Sequence, residues 1–416
     1  MTDASVAASA GEIKVVRDLA KQYVELCQKP DQSRRRRLWR ELNSLRSRQP
    51  AIYVRACAWS EMPQSQCLCQ DPLLRGHENF FRHAIFQDTF DDDYIFELWV
   101  TVPAVHVLPP QGLWGVPITW HGRGGGNAGK CESPIQDPDD LRKLIVPRHA
   151  IDEVATRRKF ARVQETMGDI ITVALDRGPA WRTWNADLSS DLAQLRGLEQ
   201  VMWDMIDRPQ WLHQLLAFMR DGVLKAQSEA EQAGDFRLCN HQNQAMPYAL
   251  ELNDPSAHPQ PVARKELWCF CASQELTLVG PAMWDEFMLR YQLPIMKEYG
   301  LVAYGCCENL TQKIPLLRQI PNLRRIAVSP FGDVKKCAEQ IGRQYVISYR
   351  PSPADMVSYG FDENRIREML HRDMDCLRGC CFDITLKDVQ TVQQDPTRIR
   401  RWVQVTRQVI ADMNIA

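Results

Sequence analysis

The feature that most narrows the fold is an alternation in the second half of the chain. Apolar, β-rich runs at 301–305, 323–328, 345–349 and 381–386 are each followed by helical periodicity, at 312–319, 333–340, 363–377 and 396–413. A helical run at 281–298, closed by Gly300, leads into the first of them. Strand-then-helix repetition, at about 20–40 residues per unit, implies a parallel sheet with helical crossovers. The first half adds strand runs at 51–59, 94–102, 169–175 and 236–240, and helices at 153–167 and 187–233. Strands are therefore expected near 51, 94, 169, 236, 301, 323, 345 and 381. Eight such units close a (β/α)8 barrel. An open doubly wound sheet is the alternative, but its Gly-rich turn after the first strand is missing.

Two helices precede the barrel pattern. Val15, Leu19, Tyr23 and Leu26 recur at helical spacing, as do Leu38, Leu42 and Leu45 after the Pro30-Asp31 break. The expected organisation is a helical extension at 1–50 and a barrel domain at 51–416, with a Gly/Pro-rich insertion at 103–150. Net charge is -1, so composition gives no case for nucleic acid or an anionic membrane. The basic run at 34–37 reads as a solvated helix face. No apolar run reaches the roughly 18 residues of a membrane span. The first twelve residues are small and acidic, unlike a secretory signal. The cytoplasm, where thiols stay reduced, is the expected compartment. Most of the 14 cysteines are expected to be buried small hydrophobes. Cys306-Cys307 and Cys380-Cys381 are harder to dismiss.

Residues 124–131 read Gly-Gly-Gly-Asn-Ala-Gly-Lys-Cys, close to a phosphate-binding P-loop. Cys131 replaces the magnesium-binding hydroxyl, and Pro134 and Pro138 break any following helix. A mobile glycine loop over the barrel mouth is the better reading. Tyr304-Gly305-Cys306-Cys307-Glu308-Asn309 ends the fifth strand, where barrel strands point into the site. A thiolate beside a carboxylate there can ligate zinc. Alternation predicts that Cys307 faces the mouth and Cys306 the packing. Cys381 starts the eighth strand, and Lys387-Asp388 lies at its far end as a polar anchor. His241, Asn243 and Gln244 follow the fourth strand, so His241 is a candidate ligand. Cys239, Cys269 and Cys271 read as core.

The segments Gln274-Glu275, Tyr304-Gly305-Cys306-Cys307-Glu308-Asn309-Leu310, Ile320-Pro321-Asn322-Leu323-Arg324, Val328-Ser329-Pro330 and Tyr349-Arg350-Pro351-Ser352-Pro353-Ala354 go further. With Lys387-Asp388, Thr391-Val392, Asp395-Pro396 and Trp402, they resemble the uroporphyrinogen decarboxylase superfamily. The nearer likeness is to its uroporphyrinogen-decarboxylase-like branch, beside the cobalamin-dependent methyltransferases. There a zinc pair is written His-x-Cys-Gly-Asn after the fifth strand, with a second cysteine near the eighth. Cys307 and Asn309 match; Gly305 falls on the His position and Glu308 on the Gly position. The resemblance thus implies zinc held by Cys307, Cys381 and either Glu308 or His241. The decarboxylases' N-terminal arginine-rich glycine motif is absent, so uroporphyrinogen itself is not the implied substrate.

The leading expectation is a zinc-dependent methyltransferase. It would move a methyl group between a small methylated substrate and a corrinoid, free or on a partner protein. Glu308, Asn309, Lys387 and Asp388 are the candidate catalytic residues. Gln244, Tyr304, Trp268 and Arg350 are the candidate substrate contacts, with Phe270 lining the mouth. Cys307, Glu308, His241 and Cys381 are the candidate zinc ligands. A homodimer is a further expectation, since related barrels often pair. One alternative is a metal-free decarboxylase or lyase, with Arg350 and Lys387 binding substrate carboxylates. Another is a non-catalytic corrinoid- or tetrapyrrole-binding barrel.

Overall fold

Among the described residues, eight strands in two parallel sheets carry the fold: β1 (Ala51–Val54), β2 (Trp99–Pro103), β3 (Thr172–Asp176), β4 (Trp268–Cys271), β5 (Leu301–Tyr304), β6 (Leu323–Val328), β7 (Val346–Tyr349) and β8 (Cys381–Leu386). The structure is a computed structural model and describes residues 8–47, 49–122, 129–180 and 187–415. Six strands form one parallel sheet in the order β1-β8-β7-β6-β5-β4, and β2 pairs with β3 separately. This is the expected α/β class with a central parallel sheet. Among the described residues no ladder joins β1 to β2 or β3 to β4, so hydrogen bonds do not close a barrel.

The expected strand at 236–240 is not one. Leu238–Asn240 is a single 3-10 turn. Asn240 Oδ1 accepts the Arg237 N–H at 2.7 Å, which satisfies locally a backbone donor that a ladder would have used. Asn240 Nδ2 donates to Asp176 Oδ1 on β3 at 2.6 Å, and Gln242 N donates to Trp268 O on β4 at 3.3 Å. The segment thus sits in the seam between β3 and β4. The fourth strand is instead Trp268–Cys271, whose four residues are all buried. A strand buried on both faces lacks the alternation that reveals a strand in sequence. The second and third strands begin at Trp99 and Thr172, slightly later than the expected starts near 94 and 169.

The N-terminal helices form as expected. α1 (Ala10–Cys27) opens on a Ser9–Glu12 capping box. α2 (Asp31–Asn43) carries Trp39 and Leu42 into a cluster with Ala51, Val346 and Cys381, the first residues of β1, β7 and β8. α2 therefore covers the N-terminal ends of those strands.

β8 shows the two faces of the sheet. Phe382, Ile384 and Leu386 join the main apolar cluster against the helices. Alternation turns Cys381, Asp383 and Thr385 to the interior. There Asp383 Oδ2 pairs with Arg325 of β6 at 2.5 Å, and Asp383 Oδ1 accepts from Ser348 of β7 and Thr385. Arg325 also donates to Asn43 Oδ1 of α2 at 2.6 Å.

The insertion contains a small antiparallel hairpin, Thr119–His121 with Lys130–Glu132. Lys130 lies in a strand and opens no helix, which removes the P-loop. Most of the glycine run expected to act as a mobile loop, 123–128, lies outside the described residues. Among the described residues no helix is long and apolar enough to cross a membrane.

Candidate functional site

Strand β5 is followed by Gly305, whose φ is +103. A Cβ there would meet Leu310 at 2.6 Å and Ala327 at 3.0 Å, so only glycine fits the turn. The left-handed residue breaks strand alternation. Cys306 and Cys307 consequently turn to the same place, with sulfurs 3.6 Å apart. Cys306 is buried and packs with Phe270 and Ala272, while the partly exposed Cys307 lines the cleft described below.

Glu308 locks this turn. Its Oε2 accepts the Cys306 N–H at 2.7 Å and its Oε1 accepts the Ser273 N–H, just past β4, at 2.9 Å. The side chain is buried, which raises its pKa against those two bonds.

Lys387, the residue after β8, continues the interior row Asp383, Thr385. Its Nζ stands 3.0 Å from Cys306 Sγ, 3.4 Å from Cys307 Sγ and 3.1 Å from Asp388 Oδ2. Cys307 Sγ donates to Asp388 Oδ2 at 3.3 Å. The Cys306 thiol is pushed down by its hydrogen bond with Cys307 and by the charges of Lys387 and Arg350, against burial. Cys307 is pushed up by the same pairing, by burial and by Asp388. The pairing thus drives the two apart, Cys306 toward the thiolate and Cys307 toward the protonated form. Arg350 Nη1 donates to Cys306 O at 2.6 Å, and the Gln244 amide lies 3.8 Å from Cys306 Sγ. Arg350 Nε and Gln244 Oε1 are buried without a hydrogen-bond partner among the described residues. Gln244 and Asp388 both hold left-handed backbones, at φ 58 and 57, a strain that commonly collects at working sites.

Other predicted residues lie elsewhere. Trp268 is fully buried at the start of β4, its indole donating to Pro247 O at 2.8 Å. His241 Nδ1 accepts the Trp268 N–H at 3.2 Å, which puts it at the N-terminal end of β4, away from Glu308 and Asp388. Burial pushes its imidazole down to about 4. Cys381 begins β8, packed with Leu38, Trp39 and Ala51 at the same far end. Tyr304 turns to the helical layer, its hydroxyl bonding Gln292 and Ser273. Phe270 shares the interior cluster with Cys306 and Ala272. Asn309 caps its own turn, Oδ1 accepting the Thr311 N–H at 3.0 Å. The four expected zinc ligands Cys307, Glu308, His241 and Cys381 are thus not brought together. Among the described residues no group of three or more His, Cys, Asp or Glu side chains is arranged to hold a metal ion.

A cleft of about 1220 Å³ adjoins the cluster, its wall including Cys307, Asn309, Thr277 and Lys313. Leu278 and Phe331 also line it and are largely exposed. Beside β4, the sequence reading missed an acidic pair. Ser189 Oγ lies 2.8 Å from Asp187 Oδ1 and 2.6 Å from Glu275 Oε2, so its single proton serves two carboxylates. Burial, then Glu275, pushes Asp187 up to about 7. In sequence, Asp187 and Ser189 read only as a helix start.

No family model matches the chain, and no curated protein matches it. In fold it is similar to a methyltransferase from Methanosarcina mazei, with a TM-score of 0.51 at 11% sequence identity. The match covers 86% of this chain and 93% of that one.

Proposed function

We propose that the chain is a methyltransferase acting on a small methylated substrate at the Cys306–Lys387 cluster. The observation that carries this reading is the Cys306 sulfur and the Lys387 Nζ 3.0 Å apart at the strand ends, beside an open cleft. The fold likeness to the methanogen methyltransferase supports it, as does the resemblance of residues 304–310 to the uroporphyrinogen-decarboxylase-like branch. The order β1-β8-β7-β6-β5-β4 with β2 beside β3 supports a (β/α)8 barrel with two seams unbridged by ladders.

Methyl transfer is a displacement: the carbon meets a nucleophile as its bond to the donor heteroatom breaks, and the leaving group keeps the electron pair. Cys306 offers the nucleophilic sulfur, which would carry the methyl as a thioether and leave again as a thiolate when the methyl passes on. Lys387 and Cys307 hold protons within reach of that sulfur for the leaving group, and Asp388 can take one back. Arg350 and Gln244 offer buried unpartnered polar atoms to orient the substrate. A corrinoid, free or on a partner protein, is proposed as the methyl carrier. The cleft exceeds the usual pocket range of roughly 300–1,000 Å³, and Leu278 and Phe331 give it apolar lips. Zinc is given no step, because its expected ligands do not gather.

The test is methylation of cob(I)alamin, read spectrally, with a panel of methylated thiols, amines and ethers. Cys306→Ala and Lys387→Met are expected to lower turnover by roughly 10²–10⁴-fold with the fold intact. Unchanged turnover in both variants would sink the assignment. A second reading, a lyase for a carboxylated molecule, is favoured by one observation: Arg350 is 3% exposed and its Nε lacks a partner that a carboxylate would supply. Release of carbon dioxide without methyl transfer would select it.

A further inference from the structure

We infer that Lys387 takes the place of a metal at this mouth, its ammonium serving as the resident cation of the Cys306, Cys307 and Asp388 donors. The three donor atoms converge on one point, and Nζ stands there at 3.0, 3.4 and 3.1 Å. Two thiolates on one tetrahedral zinc, each at about 2.3 Å, would lie about 3.8 Å apart. The sulfurs here are 3.6 Å apart, so the spacing suits a cation, but that cation is covalently part of the chain. Lys387 cannot easily leave: it is 6% exposed and follows Asp383 and Thr385 in the interior row of β8. A second cation at the same point would meet its full charge at contact distance.

The remaining expected ligands are also committed. Both Glu308 oxygens accept backbone N–H groups, and His241 and Cys381 lie at the far end of the sheet. The mouth therefore has the Lys387 nitrogen beside its sulfurs where a metal would stand. This rests on the reading of the mouth as the reaction site and on nothing about the group transferred.

The experiment uses the full chain, reduced, equilibrated with zinc and dialysed. Wild type is expected to retain no stoichiometric zinc. It should show an ultraviolet thiolate band that Cys306→Ala lacks and a chelator leaves unchanged. Lys387→Met should lose the band and Lys387→Arg should keep it, with circular dichroism reporting the fold of each. Should Lys387→Met not fold, Lys387→Gln serves the same comparison. Wild-type protein that retains about one zinc per chain, lost in Cys306→Ser, overturns the proposal. A band that survives the neutral substitution at Lys387 overturns it too. Neither readout needs turnover, so a failed methyl-transfer assay would leave this result standing.

Discussion

The interior of the sheet carries buried charge at two levels, and the two are built differently. At the lower level Arg325 and Asp383 pair across β6 and β8, and Ser348, Thr385 and Asn43 satisfy the atoms the pair leaves over. At the upper level Lys387 faces the Cys306 sulfur, while Arg350 Nε and Gln244 Oε1 have no hydrogen-bond partner among the described residues. The lower level is closed and fixes strand register. The upper level has valences left for a ligand. The same alternation on β8 supplies both, Asp383 below and Lys387 above, so position along one strand separates architecture from chemistry.

The sharpest test of this contrast is a pair of substitutions. Asp383→Ala leaves Arg325 buried and uncompensated, and is expected to cost about 3–5 kcal/mol in urea unfolding. Lys387→Met should cost less than about 1.5 kcal/mol, because Cys306 can take a proton and leave no bare charge. Equal costs would erase the distinction. Next in size is Gly305→Ala, expected to cost about 1–3 kcal/mol through its positive φ and the contacts its Cβ would make. It should also slow the reaction more than a lower-level change of equal cost, since it moves both sulfurs. An unaltered rate would show that the turn does not position them.

A further expected effect is a pH dependence. Asp187 has its pKa raised to about 7 by burial and Glu275, above an unfolded value of about 3.8. A raised carboxyl contributes stability below the unfolded value and loses it as pH rises through the folded one. The stability of wild type relative to Asp187→Asn should thus fall between about pH 4 and 7 and level off above. A difference that does not change with pH would place Asp187 among the satisfied, lower-level type of group.

Much of this was legible in the residues, and the gaps have physical causes. Strands β5 to β8 announce themselves because each sits in a regular strand–helix unit with clear breaks. Cys306, Lys387 and Arg350 could be placed at strand ends for the same reason. Trp268–Cys271 was hidden because burial on both faces leaves no period. Residues 236–240 looked like a strand because they do line the sheet, although Asn240 spends their hydrogen bonds locally. The closeness of the two sulfurs was not legible, since the single left-handed residue at Gly305 cancels the two-residue period. His241 was assigned to the mouth through the same misplaced strand.

Glu308 has a mechanical consequence. One carboxylate grips the backbone at Cys306 and at Ser273, two strands' worth of chain that also begin the walls of the cleft. The sulfur and the cleft wall therefore share a single rivet. A molecule settling into the cleft meets a sulfur whose bearing was set beforehand, and the cost of aiming it was met during folding rather than at each turnover.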